Sequence, residues 1–435
     1  MTDWRKRLQQ LDHPIYVSII GAGAMGKGLA WQCQITPGVH LAVLADLRLE
    51  RAIACAEWLG RDFTIVESAA ALHDAVAQGR LALCADGLLA AGCELVDALI
   101  EASSAVVAGA QHTLAALLLG KHAIMLNAEA DLAFGPHLLE TAHSAGAVYT
   151  SCDGDQHTVL ARLVNDIQLW GFDLVMAGNI KGFLDRYSNP TKIIPEADKR
   201  NLDYVMATAY TDGSKLNIEM ALFANAYGAA CVQPGMLGPA IHHVDEVLAH
   251  YDFAALWQGG APRVDYILGA EPGGGVFAVG YCADPYQQAM LNYYKRGTGP
   301  FYLFYRPYHL CHVEAIQCVA EAVLDGDALL QPTRGFQTDV YAYAKRALCA
   351  GERLDGLGGY ACYGQIENCA DRATSPGLPI CLSNDATLLR QIAPDERIGW
   401  HDVRFAPDAP QLALYIQAQA ASRRLSAHKT MEQGE

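Results

Sequence analysis

The sequence is short of positive charge: 31 Lys and Arg stand against 47 Asp and Glu, a formal net charge of −16. An acidic surface repels phosphate backbones and anionic headgroups, which argues against nucleic-acid or membrane-surface binding as the main task. The chain has no Cys-x-x-Cys pair and no Cys/His cluster at zinc-finger spacing, so its 13 cysteines spell out neither a structural zinc site nor a redox motif of that type. An odd count fits free, mostly buried thiols in a reducing compartment. No apolar run reaches the roughly 18–20 residues that a bilayer span needs. The opening MTDWRKRLQQLDHP also lacks the apolar stretch of a secretory signal. A cytoplasmic protein is the expectation.

Apolar residues are plentiful, at 52% against 18% charged, and glycine reaches 40 positions. A large core with many tight turns follows, as in α/β proteins. At roughly 100–200 residues per domain, the length of 435 residues predicts two to four domains. IYVSIIG (Ile15–Gly21) reads as a buried strand, with a helix from about Met25. VHLAVLAD (Val39–Asp46) is a second strand, followed by a helix from about Arg48 to Leu59. TIVES (Thr64–Ser68), LVDALIEAS (Leu95–Ser103), HAIMLN (His122–Asn127) and AVYTSC (Ala147–Cys152) are further strand candidates with helical stretches between them. That alternation predicts right-handed crossovers and a parallel sheet over residues 1–150. Residues 151–330 mix helices and strands with turn-rich segments and read as an α+β domain. Short strands and Gly-rich turns over 331–420 suggest a small β-rich domain, and 421–435 a polar, frayed tail.

The first strand runs directly into Gly21-Ala22-Gly23-Ala24-Met25-Gly26, which fits G-x-G-x-x-G in the strand–turn–helix setting that the motif requires. Gly21 makes the tight turn, Gly23 lets the backbone approach a pyrophosphate, and Gly26 lets helix and strand pack closely. The free N–H groups where Ala24 and Met25 open the helix would hold that pyrophosphate. Asp46 ends the second strand, 20 residues past Gly26, where an acid binds ribose hydroxyls and favours NAD. Arg48 and Arg51 follow closely and could instead pair with the 2′-phosphate of NADP. Ser103, Asn127 and Glu129, with Glu101, lie past the carboxyl ends of later strands, near a nicotinamide; the bland alternative is that they cap helices.

The segments GKHAIMLNAEAD (Gly120–Asp131), DGSKLNIEM (Asp212–Met220), ANAYG (Ala224–Gly228), GMLGP (Gly235–Pro239) and GTGPFYLFYRPYHL (Gly297–Leu310) carry a family likeness. The chain resembles homoserine-dehydrogenase-like oxidoreductases with a C-terminal SAF (antifreeze-like) domain. Deoxyxylulose-phosphate-reductoisomerase-like enzymes and the apionate oxidoisomerases are branches of that group. The resemblance runs from about 14 to 405. It implies a Rossmann domain, a catalytic domain that also supports dimerisation, and an SAF domain over 331–420. It also implies a homodimer or homotetramer, and hydride transfer coupled to a carbon-skeleton isomerisation. Two departures stand out. The reductoisomerase-like branch carries Gly-Asp-Glu-Pro where this chain has Gly154-Asp155-Gln156-His157, and Lys-Gly-Lys-Asn where it has Asn179-Ile180-Lys181-Gly182. One acid and one cation are missing, which points to a substrate other than deoxyxylulose phosphate.

Within Asp212–Glu219 the residues alone leave strand and helix open. Alternation of Leu216, Ile218 and Met220 suits a strand; Asp212 as a cap, with Lys215 and Glu219 an i,i+4 pair, suits a helix. Both readings group Lys215 with Glu219. The alternatives are a surface ion pair or, as the resemblance implies, a catalytic Lys215 that polarises a carbonyl. Asp155, beside Asp153, would act as acid or base; the two could help hold a divalent cation, although no metal ligands are assigned. Lys181 matches a family lysine. From Tyr286 to Val313 there is no acid, yet Lys295, Arg296, Arg306, His309 and His312 are present, so Arg306 becomes a candidate clamp for an anionic substrate. The favoured reading is an NAD- or NADP-dependent oxidoreductase of a small polyhydroxylated, anionic, sugar-derived molecule. Its competitors are a homoserine-type dehydrogenase and a dinucleotide-binding sensor without turnover.

Overall fold

A computed structural model describes residues 3–200, 202–370 and 376–432. The chain folds into two compact units, both discontinuous. The first comprises Met1–Asp155, Leu310–Gln331 and Pro410–Arg424, and the second Gln156–His309, Pro332–Ala409 and Leu425–Glu435.

The first unit is built on seven parallel strands: β1 (Ile15–Ile20), β2 (Val39–Ala45), β3 (Phe63–Ile65), β4 (Leu81–Cys84), β5 (Ala98–Glu101), β6 (His122–Met125) and β7 (Tyr149–Ser151). Their order is β3-β4-β2-β1-β5-β6-β7. The chain winds outward from β1 on one side, then returns to β5 on the other, so the switch point of a doubly wound sheet lies between β1 and β5. Strands covered on both faces need apolar residues throughout, and β1, β2 and β4 are almost entirely buried. The expected α/β, Rossmann-like architecture is present. Leu81–Cys84 is a strand the sequence reading lacks: four residues between helices carry too little period to separate strand from helix. The strands expected over Thr64–Ser68 and Leu95–Ser103 are shorter, at Phe63–Ile65 and Ala98–Glu101.

Two later segments complete this unit. The helix Cys311–Asp325 lies against the helix Ala24–Ile35, close enough that a Cβ on Gly28 would meet the His312 ring at 2.5 Å. Residues 310–331 therefore belong with the dinucleotide-type sheet, and not with the α+β region where the sequence reading puts them. Of the tail expected over 421–435, the described part to 432 is instead the end of a helix, Pro410–Glu432, and 433–435 lie outside the described residues. Within it Arg424 grips both carboxylate oxygens of Glu140, at 2.5 and 2.6 Å.

The second unit holds a mixed sheet of β8 (Asp173–Lys181), β9 (Arg263–Leu268), β10 (Val276–Tyr281) and β11 (Phe301–Arg306), ordered β11-β10-β8-β9. Two short antiparallel pairs follow: β12 (Thr338–Ala344) with β13 (Cys362–Asn368), and β14 (Thr387–Leu388) with β15 (Val403–Arg404). This short-stranded segment packs with the 156–309 region instead of standing alone. Ser214 Oγ accepts the Gly364 N–H at 2.7 Å and Asn217 Oδ1 accepts the Ile366 N–H at 2.9 Å, which fastens β13 to the helix Ser214–Tyr227. All 13 cysteines are free thiols, and ten are buried. Among the described residues, no helix is long and apolar enough to cross a membrane.

Candidate active site

The glycine loop of the first unit shows which of its glycines serve the protein. Gly21 has φ +103°, and a Cβ there would meet Ala102 O at 2.7 Å. A Cβ on Gly26 would lie 1.7 Å from Gly21 O, so helix and turn touch as the motif demands. Gly23 differs: an added Cβ would meet nothing within 4 Å. No neighbouring group demands glycine at that point, and the space beside its backbone is open. Gly23 is the N-cap of Ala24–Ile35 and supplies no side-chain cap, so the helix N-terminus keeps its free N–H groups and partial positive charge. Ala24 is exposed and Met25 half-buried. These residues fit a dinucleotide pyrophosphate, with Gly23, Ala24 and Met25 presenting backbone.

Asp46 sits at the end of β2. Its Oδ2 accepts the Ala22 N–H at 2.8 Å and its Oδ1 the Arg48 N–H at 2.9 Å. The carboxylate is thus locked to the glycine loop, and each oxygen still has a lone pair for a ribose hydroxyl. Arg48 is exposed.

At the end of β5, Glu101 is a buried hub. It accepts the Ser103 N–H at 3.0 Å and the Ser103 hydroxyl, and pairs with His112 Nδ1 at 2.9 Å. Asn127 Oδ1 accepts the Ala130 N–H at 3.0 Å and its amide donates to Ala105 O at 3.1 Å. Asn127 is therefore an N-cap of Ala128–Ala145, the bland alternative; Glu129 is buried in that helix's first turn. Past β7, Asp153 accepts the Gly154 N–H at 2.8 Å and Asp155 accepts the Cys311 thiol at 3.1 Å; both carboxylates are buried.

In the second unit, the segment Asp212–Glu219 resolves as a helix from Ser214 onward. Gly213 (φ +88°) and Gly228 (φ +70°) bound the helix Ser214–Tyr227, and every residue from Ser214 to Asn225 is buried. A helix covered on all sides has no polar face, so its period is hidden; the strand-like alternation is coincidental. Lys215 and Glu219 are each 4% exposed, which rules out a surface ion pair. Asp212 lies just ahead of this helix, accepting the Ser214 N–H at 2.9 Å, with the Lys345 ammonium 2.8 Å from its Oδ2. Burial raises the Asp212 pKa, against the opposing pull of Lys345 and Ser214. Lys345 was not singled out from the sequence; a lone lysine after a strand gives no signal.

Lys181 closes β8. Burial lowers its pKa, and the charges of Glu219 and Asp212 oppose that shift. Lys181 thus shares one electrostatic cluster with two carboxylates. The two departures from the family pattern also prove to be neighbours: the Asn179 amide donates to Gln156 Oε1. A neutral hydrogen-bonded pair stands where the resemblance would place an acid and a lysine. At the sheet's opposite edge, Arg306 ends β11. Asn179 and Arg306 are both register partners of Val276, so they lie at the same end of the sheet, about 10 Å apart across two ladders. The Arg306 guanidinium stacks 4.4 Å from the centre of the Tyr308 ring. Arg296 instead donates to Leu303 O at 3.0 Å, a structural role.

Residues 154–315 match the family model described as the catalytic domain of oxidoreductase DRL. No curated protein matches the chain. Among solved structures, a DOX-P reductoisomerase in complex with NADPH, fosmidomycin and magnesium is 19% identical, with 47% of this chain and 56% of that chain covered and a TM-score of 0.35. The 1-deoxy-D-xylulose 5-phosphate reductoisomerase from Zymomonas mobilis, in complex with NADPH, is 16% identical over 48% of this chain and 57% of that one, with a TM-score of 0.34. A probable dehydrogenase from Thermotoga maritima is 14% identical, covering 72% and 90%, with a TM-score of 0.40. The chain spans just over half the length of the reductoisomerases it matches. The chain thus combines a dinucleotide-type parallel sheet with a segment similar to an oxidoreductase catalytic domain.

Proposed function

We propose that the chain is an NAD(P)-dependent oxidoreductase that acts on a small, polyhydroxylated, anionic substrate derived from a sugar, with hydride transfer coupled to isomerisation. The observation that carries the reading is the set of buried charged residues Asp212, Lys215 and Glu219 at the start of the helix Ser214–Tyr227, whose carboxylates oppose the burial-driven fall in the Lys181 pKa. Burying an amine beside two carboxylates is costly, and such an arrangement is typical of groups that move protons. In this reading the nicotinamide supplies or accepts the hydride. Lys215 polarises the reacting carbonyl, while Lys181 exchanges a proton with the substrate oxygen, its lowered proton affinity suiting it to that task. Glu219 or Asp155 carries the proton onward. Arg306, held by Tyr308 at the same end of the sheet, takes the anionic group.

The neutral Gln156–Asn179 pair supports a substrate other than deoxyxylulose phosphate, such as a sugar acid. Asp46 supports NAD over NADP, with Arg48 placed to receive a 2′-phosphate if that preference reverses. An SAF-type identity for residues 331–420, a homodimer or homotetramer and a cytoplasmic location complete the proposal. The test is a panel of sugar acids and sugar phosphates with NAD⁺ and NADP⁺, followed by absorbance of the reduced nicotinamide. Turnover of an anionic sugar derivative that disappears in Lys181→Ala supports the reading. Turnover confined to amino-acid alcohols such as homoserine would replace it with the plain dehydrogenase.

A further inference from the structure

At the end of β5, one buried carboxylate takes no part in the chemistry proposed above. Glu101 is 1% exposed, and both of its oxygens are engaged. Oε1 accepts the Ser103 N–H at 3.0 Å and also the Ser103 hydroxyl hydrogen. Oε2 accepts from His112 Nδ1 at 2.9 Å. His112 comes from the middle of the helix Val106–Leu118. A Cβ on Gly87 would strike the His112 ring at Nε2, and a Cβ on Gly109 would lie 3.3 Å from Glu101 Oε1. Two glycines thus make room for this pair, and the imidazole is wedged with its Nδ1 toward the acid.

This arrangement dictates what Ser103 can offer. A carboxylate only accepts, so the Ser103 hydroxyl hydrogen is committed to it. One hydroxyl lone pair takes the Ala105 N–H at 3.3 Å, and a second remains. Ser103 is half-buried, and its backbone abuts the glycine loop: a Cβ on Gly21 would lie 2.8 Å from Ser103 N and 2.7 Å from Ala102 O. Ser103 therefore stands at the switch point between β1 and β5, where ligands bind in a doubly wound sheet. We propose that Glu101, braced by His112, is a positioning residue that holds Ser103 as a pure hydrogen-bond acceptor for a donor group on the nicotinamide half of the dinucleotide. The proposal rests on the reading of this unit as an NAD(P) site.

The nicotinamide half carries such donors in its carboxamide NH₂ and its ribose hydroxyls. The pyrophosphate is the opposite kind of group, an acceptor, and suits the N–H groups that open the helix Ala24–Ile35. A hydroxyl free to turn would have to be ordered when the ligand arrives, and could point its hydrogen at the incoming donor. With the hydrogen already placed, that ordering cost is met in the free protein. His112 keeps the arrangement from relaxing. Without its Nδ1–H, the Glu101 carboxylate is left buried with Ser103 as its one printed side-chain donor gone unbalanced on the other oxygen, a state that burial penalises. Glu101 and His112 both act through Ser103, so their influence has to vanish with its hydroxyl.

The experiment is titration of the full chain, followed by fluorescence, with the dinucleotide it prefers, NAD⁺ or NADP⁺, and with the matching adenosine half, ADP or adenosine 2′,5′-bisphosphate. Ser103→Ala should weaken dinucleotide binding about fivefold and leave affinity for the adenosine half within about twofold. Glu101→Leu/His112→Leu removes both buried partners together, so no charge is stranded, and it should show the same selective loss. His112→Asn keeps an N–H near the Nδ1 position and should bind like the wild type. Adding Ser103→Ala to Glu101→Leu/His112→Leu should bring no further loss, because both changes break one path. Equal losses for the dinucleotide and its adenosine half would mark a merely structural pair and overturn the proposal. Additive losses, or an unaltered affinity in Ser103→Ala, would overturn it too. Where the melting transition shows Glu101→Leu/His112→Leu to be unfolded, His112→Leu against His112→Asn makes the same comparison: a selective loss in the first alone supports the proposal, and equal affinities sink it. An unaltered protein that binds neither dinucleotide removes the NAD(P) reading itself. Binding by the unaltered protein without selective loss in the variants removes this inference alone.

Discussion

The glycine loop after β1 and the helix start at Asp212–Glu219 make opposite use of the same chain. The first is built from backbone: two glycines relieve crowding, a third leaves open space, and one carboxylate ties the turn down through two N–H groups. The second is built from charge, with Asp212, Lys215, Glu219 and Lys345 all buried. A backbone site is cheap to hold and general in what it binds, since every dinucleotide has a pyrophosphate. A buried-charge site is costly to hold, and under the proposed function that cost serves specific chemistry.

Substitutions can break that contrast. The largest effect should come from Lys181→Ala or Lys215→Ala: turnover reduced at least about 10²-fold, with dinucleotide affinity measured by fluorescence nearly unchanged. A parallel loss of dinucleotide affinity would mean that the buried charges serve binding. Next is Arg306→Ala, expected to raise KM about tenfold by removing a charge-assisted contact of roughly 1.5–3 kcal/mol, with Arg306→Lys restoring it only in part. An unaltered KM would remove Arg306 from the substrate contact.

The glycines sharpen the other half of the comparison. Gly23→Ala should keep the melting temperature, because the new methyl group meets nothing, yet weaken dinucleotide binding about tenfold, or about 1.4 kcal/mol. Gly26→Ala should do the reverse first, destabilising the fold by about 1–3 kcal/mol through its clash with Gly21 O. Equal melting temperatures for the two variants would undo the division between fold-serving and ligand-serving glycines. The smallest effect belongs to Asp46→Ser, which should reduce the preference for NAD over NADP by the worth of a single hydrogen bond, about 0.5–1.5 kcal/mol. Titration with both cofactors measures it. If NADP already binds the unaltered protein more tightly, Arg48 or Arg51 sets the choice.

The same contrast explains what was legible in the sequence. A strand, a G-x-G-x-x-G turn and an acid 20 residues on are close in sequence, and local sterics dictate each. The parallel sheet could be read almost in full for that reason, apart from the short strand Leu81–Cys84. Lys215 and Glu219 were visible as residues, but their setting was not. A helix buried on every side shows no 3.6-residue stripe, and Lys345 lies 133 positions from Asp212, its partner. The pairing of Gln156 with Asn179 was hidden in the same way: two isolated departures became one feature only when the fold brought them together. Asn127 shows the opposite limit. Its position past a strand suits cofactor contact and helix capping equally, and only the bond to the Ala130 N–H reveals the cap.

The interrupted path of the chain through its first unit bears on how the protein comes into being. That unit takes residues from Met1–Asp155, then from Leu310–Gln331 and again from Pro410–Arg424. A ribosome emitting roughly 5–20 residues each second has the seven-stranded sheet in hand early, yet the helix that covers Gly28 emerges only after most of the second unit has been made. During that interval the apolar flank of the helix Ala24–Ile35 waits for its cover. A nascent chain stalled before Leu310 would expose this flank and draw chaperones to it, so the second unit has to be synthesised before the nucleotide-binding half is finished.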